Sequence, residues 1–144
     1  LFNLEQTAHS PHYYYHKFDP EDQESHRRSI YRFVVRSQPN PFMTTLDCAD
    51  SSQSTPRRNE TLTALQALSL LNNKFTLAMS QHFANRLAHE GKGSGYQIKA
   101  GFKLVAGRPP NPEEYQLLVQ YAEKHGMANL CRSLFSLSEF AFID

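Results

Sequence analysis

The stretch from Thr55 to Asn73 constrains the fold most. A proline-led, charged segment, Thr55-Pro56-Arg57-Arg58-Asn59-Glu60, runs directly into Leu62, Leu65, Leu68 and Leu71, and the pattern stops at Asn72-Asn73. Leucines three residues apart share one face of an α-helix, and Ala64, Ala67 and Leu70 widen that face. The stripe predicts a helix buried on most sides, the most buried element of the domain, capped at its start by Asn59 or Thr61. Arg57 and Arg58 fall at the helix entrance, where the partial positive charge of the first turn disfavours them unless an anion or carboxylate is close.

Composition bounds what surrounds this helix. With 144 residues, 40% of them hydrophobic and 20% charged, the chain is long enough for one domain with a real core. The formal charge of +1, with basic residues in scattered pairs, disfavours nucleic acid and anionic membranes as partners. No apolar run approaches the roughly 20 residues that span a bilayer. The chain opens in mid-pattern with Leu1-Phe2-Asn3-Leu4 and lacks an initiator methionine, which points to a piece of a longer protein. Cys48 and Cys131 belong to no CxxC or CxxCH pattern, so neither a zinc ribbon nor a c-type haem attachment is encoded. They read as separate thiols, Cys131 packed on a helix and Cys48 in a loop.

Residues 1–26 read as a polar, aromatic N-terminal arm or the end of a preceding region, with His9, His12 and His16 around Tyr13-Tyr14-Tyr15. From Arg27 to Arg36, β-branched and aromatic content favours a strand, which Pro39 and Pro41 end. The loop from Asp47 to Thr55 is acidic and serine-rich. Beyond the leucine helix, Asn72-Asn73 can cap a second helix carrying Phe75, Ala78, Met79, Phe83 and Leu87, which the glycines from Gly91 stop. A third runs around Gln97 to Val105 and ends at Gly107. Asn111-Pro112-Glu113-Glu114 is a strong start for a fourth, with Glu114 placed to reach back to the Asn cap and Gly126 as its stop. A last helix carries Met127, Leu130, Cys131, Leu134 and Phe135. The fold class is therefore mainly α: a compact bundle of about five helices with an irregular N-terminal arm and at most a short strand or hairpin. Residues 27–144 are expected to form the helical domain.

No residue set spells out a reaction. Asp47, Asp50, Ser51, Ser52 and Ser54 have the oxygen chemistry of a hard-cation loop but not the ligand spacing of an EF-hand, so a solvated loop is the better reading. Pro11 argues against His9, His12 and His16 sharing a helical face, and no metal site is assigned. There is no G-x-S-x-G nucleophile elbow and no GK[ST] phosphate loop. Arg28, Arg57 and Arg58 with Asp47 and Asp50 can instead form a charge network that pins the loop to the helix start. The competing reading makes Asp47, Asp50, Arg57, Arg58 and Asn59 the lining of a site for an anionic or polyhydroxylated ligand.

These residues also carry a resemblance. Arg27-Arg28-Ser29-Ile30-Tyr31-Arg32-Phe33, Phe42, Leu46-Asp47 and Asp50, Arg57-Arg58-Asn59-Glu60-Thr61, and Leu65-Gln66-Ala67-Leu68 to Leu71-Asn72-Asn73 are similar to the planctomycete-specific, PSD-type C-terminal domain of unknown function. So are Phe102-Lys103-Leu104, Gly107-Arg108-Pro109-Pro110, Glu113-Glu114 and the closing Leu134 to Phe140. The resemblance implies a large secreted, extracytoplasmic bacterial protein in which this domain follows a second helical domain, often with a cytochrome-c module upstream. It implies no cofactor in this chain; a haem would sit in another domain. The preceding helical domain is the expected partner, with a polysaccharide or redox protein beyond it. No activity comes with the family. A non-catalytic scaffold or interaction module is the first expectation, and an enzyme or glycan-binding site on the Asp47–Asn59 loop is the alternative.

Overall fold

The computed structural model describes residues 4–7, 10–13, 15–17, 19–23, 26–31, 35, 38–50, 53–54, 56, 61, 63–91 and 93–141. The chain divides into two compact units, Leu1–Ser69 and Leu70–Asp144.

The first unit begins with an antiparallel hairpin, β1 (Leu4–Thr7) and β2 (Ser10–Tyr13), in register Leu4 to Tyr13 and Thr7 to Ser10. Pro11 is tolerated there because each strand of a two-stranded sheet has a free edge. The strand expected from Arg27 to Arg36 is not what forms at its beginning: Ser29–Tyr31 makes a single 3-10 turn, and Val35 pairs with Gln38 in an isolated bridge. Arg32–Val34 and Arg36 lie outside the described residues. The Tyr15 hydroxyl donates to the Gln38 carbonyl at 2.6 Å, and partial burial raises its pKa.

A short helix that the sequence reading did not anticipate, α1 (Pro41–Thr45), follows. Asn40 caps it, its Oδ1 accepting from the amides of Phe42 and Met43, and Pro41 occupies the first helical position. Its exit is a Schellman turn: the Cys48 amide donates to the Met43 carbonyl at 3.0 Å and the Asp47 amide to Thr44 at 3.2 Å. Asp47 holds the left-handed position of that turn, with φ of 57°, where glycine is the usual occupant.

The leucine helix is α2 (Ala64–Asn72). Its cap is neither Asn59 nor Thr61. Thr63 Oγ1 accepts from the Gln66 amide at 3.2 Å while Gln66 Oε1 accepts from the Thr63 amide at 2.9 Å, a reciprocal capping box. Nor is the leucine face the buried one. Leu65 and Leu68 are 62% and 56% exposed, whereas Gln66 is 8% exposed and is the buried residue of the helix. Periodicity established that α2 has an apolar face. The hydrogen bonds made by Gln66 decide which face turns inward.

The second unit is an apolar helical bundle. Asn73 caps α3 (Lys74–Glu90), accepting from the Phe75 amide at 2.9 Å. Next comes α4 (Ser94–Ala106), which ends at Gly107 in the left-handed conformation, φ of 72°, the Gly107 amide donating to the Lys103 carbonyl. Helix α5 (Pro112–His125) starts on a complete Asn111/Glu114 capping box and stops at Gly126; α6 (Met127–Leu134) and the short α7 (Ser138–Ala141) complete the chain. Ile98, Phe102 and Val105 of α4 pack on Leu130 and Leu134 of α6, and Ala84 and Leu87 of α3 on Cys131. Helix α6 touches α3, α4 and α5 and is the centre of the bundle. Arg132 of α6 donates to the Leu71 carbonyl at 2.7 Å and to Asn72 Oδ1 at 2.6 Å, satisfying groups at the end of α2 that have no partner within a helix. Among the described residues, five helices of eight or more residues and one hairpin make the class mainly α, as the sequence indicates.

Candidate functional site

The left-handed backbone at Asp47 aims its carboxylate toward the entrance of α2. Oδ2 of Asp47 accepts from the Thr61 amide and the Thr61 hydroxyl, each at 2.8 Å, and from Gln66 Nε2 at 2.9 Å. Gln66 Nε2 also donates to Thr61 Oγ1 at 2.9 Å, so the amide is satisfied at both ends although it is buried. Three bonds to one carboxylate oxygen, each assisted by charge, close the stretch between α1 and α2.

The other residues singled out in the sequence fall as follows. Asp50 is exposed and accepts from Gln53 Nε2 at 3.1 Å. Arg28 lies over the Tyr31 ring, 5.8 Å from its centroid. Arg57, Arg58 and Asn59 lie outside the described residues, and with them the expected pairing of an arginine with Asp47 or Asp50. His9 lies outside them too; among the described residues no group of three or more His, Cys, Asp or Glu side chains is placed to hold a metal ion. Cys48 is exposed and Cys131 buried, and both thiols are free. Burial pushes the Cys131 thiol up to about 12, so it stays protonated at neutral pH.

A second site was not read from the sequence. In the helical bundle an apolar groove of about 360 Å³ is floored by Phe102, Leu130 and Leu134 and walled by Leu117, Tyr121 and Leu137. Leu117 is 66% exposed, whereas its neighbour Leu118, which also lines the groove, and Val119 are partly buried against the core. The signal was a surplus of apolar residues on α5: Leu117 and Tyr121 do not fall in the stripe of Tyr115, Leu118, Val119 and Ala122.

One end of the groove carries a polar knot. Arg108, positioned by the left-handed turn at Gly107, grips Glu114 with two parallel bonds of 2.9 and 2.8 Å and reaches Glu139 of α7 at 3.0 Å. Its guanidinium also lies 5.1 Å from the centroid of the Phe102 ring. Glu114 Oε2 accepts in addition from the Asn111 amide at 2.7 Å. The Arg108 bonds first, and the Asn111 amide second, hold the Glu114 carboxyl down at about 2, and the two carboxylates raise the Arg108 pKa.

This architecture defines a mainly α domain whose polar sites are organised by its own helix ends. The chain belongs to the PSD1 family, proteins of unknown function (DUF1553), whose family model matches residues 3–122. The match takes in Asp47, Gln66, Arg108 and Glu114 and ends within α5. No curated protein and no solved structure matches the chain. Among the described residues no helix is long and apolar enough to cross a membrane.

Proposed function

We propose that the chain is a non-catalytic interaction module of a secreted, multidomain bacterial protein, packing beside a preceding helical domain and helping to place an assembly that works on polysaccharide or passes electrons. The observation that carries this reading is the employment of Asp47: its Oδ2 takes three bonds from Thr61 and Gln66. A carboxylate committed to closing a loop onto a buried amide is poorly suited to exchanging partners with a ligand, because each exchange takes from Gln66 one of the two acceptors of its buried amide. The family resemblance supports the extracytoplasmic setting and the helical neighbour. Arg28, Asp47, Asp50, Arg57 and Arg58 then serve as a structural charge network.

The test introduces Asp47→Ala and Asp50→Ala singly and follows melting temperature, binding to neutral and sulfated polysaccharides, and binding to the separately produced preceding helical domain. The module reading expects a lower melting temperature for Asp47→Ala, a smaller drop for Asp50→Ala, and capture of the helical domain by the parent chain. Polysaccharide binding by the parent that disappears in Asp47→Ala at unchanged melting temperature would replace it with a ligand site on the Asp47–Asn59 loop.

A further inference from the structure

The groove of the helical bundle has a charge asymmetry that specifies what can lie in it. Two carboxylates, Glu114 and Glu139, face one guanidinium, Arg108, leaving one net negative charge at that end. The charge is not shared evenly. Both oxygens of Glu114 are engaged, Oε1 by Arg108 and Oε2 by Arg108 and the Asn111 amide. Glu139 gives only Oε1 to Arg108, and among the described residues its Oε2 accepts no hydrogen bond. The rest of the lining is apolar apart from Ser133, and Leu117 and Tyr121 stand open to solvent along one wall. A fully enclosed cavity would suit a small molecule, which needs most of its surface covered. An open trough beside a helix suits the apolar face of another helix, read through side chains at three- and four-residue steps.

We propose that this groove seats an amphipathic helix of a protein partner, whose aliphatic side chains cover Leu117, Tyr121 and Leu137 and whose lysine or arginine binds the open oxygen of Glu139. The assignment rests on the module reading and gives it a surface. Glu139 sets the direction in which the helix lies, because its charge marks one end of an otherwise apolar trough. Arg108 orients Glu139 and prevents Glu114 from competing for the incoming cation.

Three synthetic helical peptides test this, identical in a leucine stripe at positions i, i+3, i+4 and i+7 and differing only in a flanking lysine, glutamine or glutamate. Each is titrated into the isotope-labelled chain, with affinity and amide shifts recorded by NMR. The lysine peptide should bind about two- to five-fold tighter than the glutamine peptide, the margin an exposed ion pair supplies, with shifts centred on α5 and α7. Glu139→Gln should erase that preference while leaving the glutamine peptide's affinity unchanged. Leu117→Lys, at an exposed position that should leave melting temperature unchanged, should weaken every peptide at least about tenfold. Equal affinity across the three peptides, shifts centred elsewhere, or no binding by any of them overturns the proposal. Binding of the preceding helical domain serves as a separate readout. If Leu117→Lys leaves it intact, the groove assignment fails and the module reading stands; if the lysine peptide binds and the helical domain does not, the groove stands and that partner is wrong.

Discussion

The described residues of the two units are held by opposite means. In Leu1–Ser69 the described residues are tied by a polar knot, Asp47, Thr61, Thr63 and Gln66, and the buried ones among them are Val35 and Gln66. In Leu70–Asp144 they are tied by an apolar core in which Leu87, Ile98, Leu130 and Leu134 are almost completely buried. A hydrogen-bonded knot demands particular atoms at particular angles, so nearly any replacement is felt. An apolar core demands volume and shape and accepts swaps that conserve both.

The sharpest way to break this comparison is to shorten side chains in both units. Ile98→Ala or Leu130→Ala should cost about 2–5 kcal/mol by denaturant unfolding, as buried aliphatics do. Leu65→Ala, at an exposed position of the leucine stripe, should stay within about 0.5 kcal/mol. A large loss at Leu65 would mean that the polar unit leans on apolar packing after all.

A series at Asp47 sharpens the polar side. Asp47→Ala removes the acceptor and leaves a left-handed backbone that alanine tolerates poorly, for an expected loss of about 2–3 kcal/mol. Asp47→Gly loses the same bonds but relieves the backbone, and should recover roughly 1 kcal/mol of that loss. Asp47→Asn, tolerant of the conformation and still an acceptor, should be the mildest of the three. Equal losses for alanine and glycine would show that the turn carries no strain.

The Arg108 knot brings both kinds of interaction into the second unit, since it is polar yet sits at the edge of the apolar core. Glu114 titrates near 2 when folded, below its ordinary value of 4.5. Its contribution is therefore complete above about pH 4.5 and is lost as pH falls toward 2. Glu114→Gln should flatten the acid side of the stability profile in that window by lowering stability above about pH 4.5 and converging with the parent near pH 2, and the drop should be small because the pair is exposed and screened. An unchanged acid limb would remove Glu114 from the proton balance. The smallest perturbation is chemical labelling: a thiol reagent should modify Cys48 without altering the melting temperature and reach Cys131 only on unfolding.

What could be read from the sequence followed the range of the interactions. Helices α3 to α6 were legible because their signals are local: Asn73 and Asn111-Pro112 at starts, Gly107 and Gly126 at stops, and apolar steps of three and four between them. The Asn-Pro start recurs at Asn40-Pro41. It reads there as a strand terminator, because a five-residue helix is too short to display a period. The Thr63-x-x-Gln66 box was equally local, but the arginines upstream drew the cap to Asn59 or Thr61. Asp47 was singled out as a site residue; its partners were not, since the bond from Gln66 spans nineteen positions. The groove was beyond reach for the same reason: its lining runs from Phe102 to Glu139 and is assembled only by packing.

The turn at Asp47 has an evolutionary consequence. The backbone there admits glycine, asparagine and aspartate with ease, while Thr61 and Gln66 call for an oxygen acceptor at the same position. Only aspartate and asparagine meet both demands. Members of the family should therefore vary little at this position, and a lineage that drifts to glycine should lose the glutamine in step, because a buried amide without its acceptor would be selected against. A paired replacement of that kind, found by aligning the family, would record the knot being dissolved and the turn surviving it.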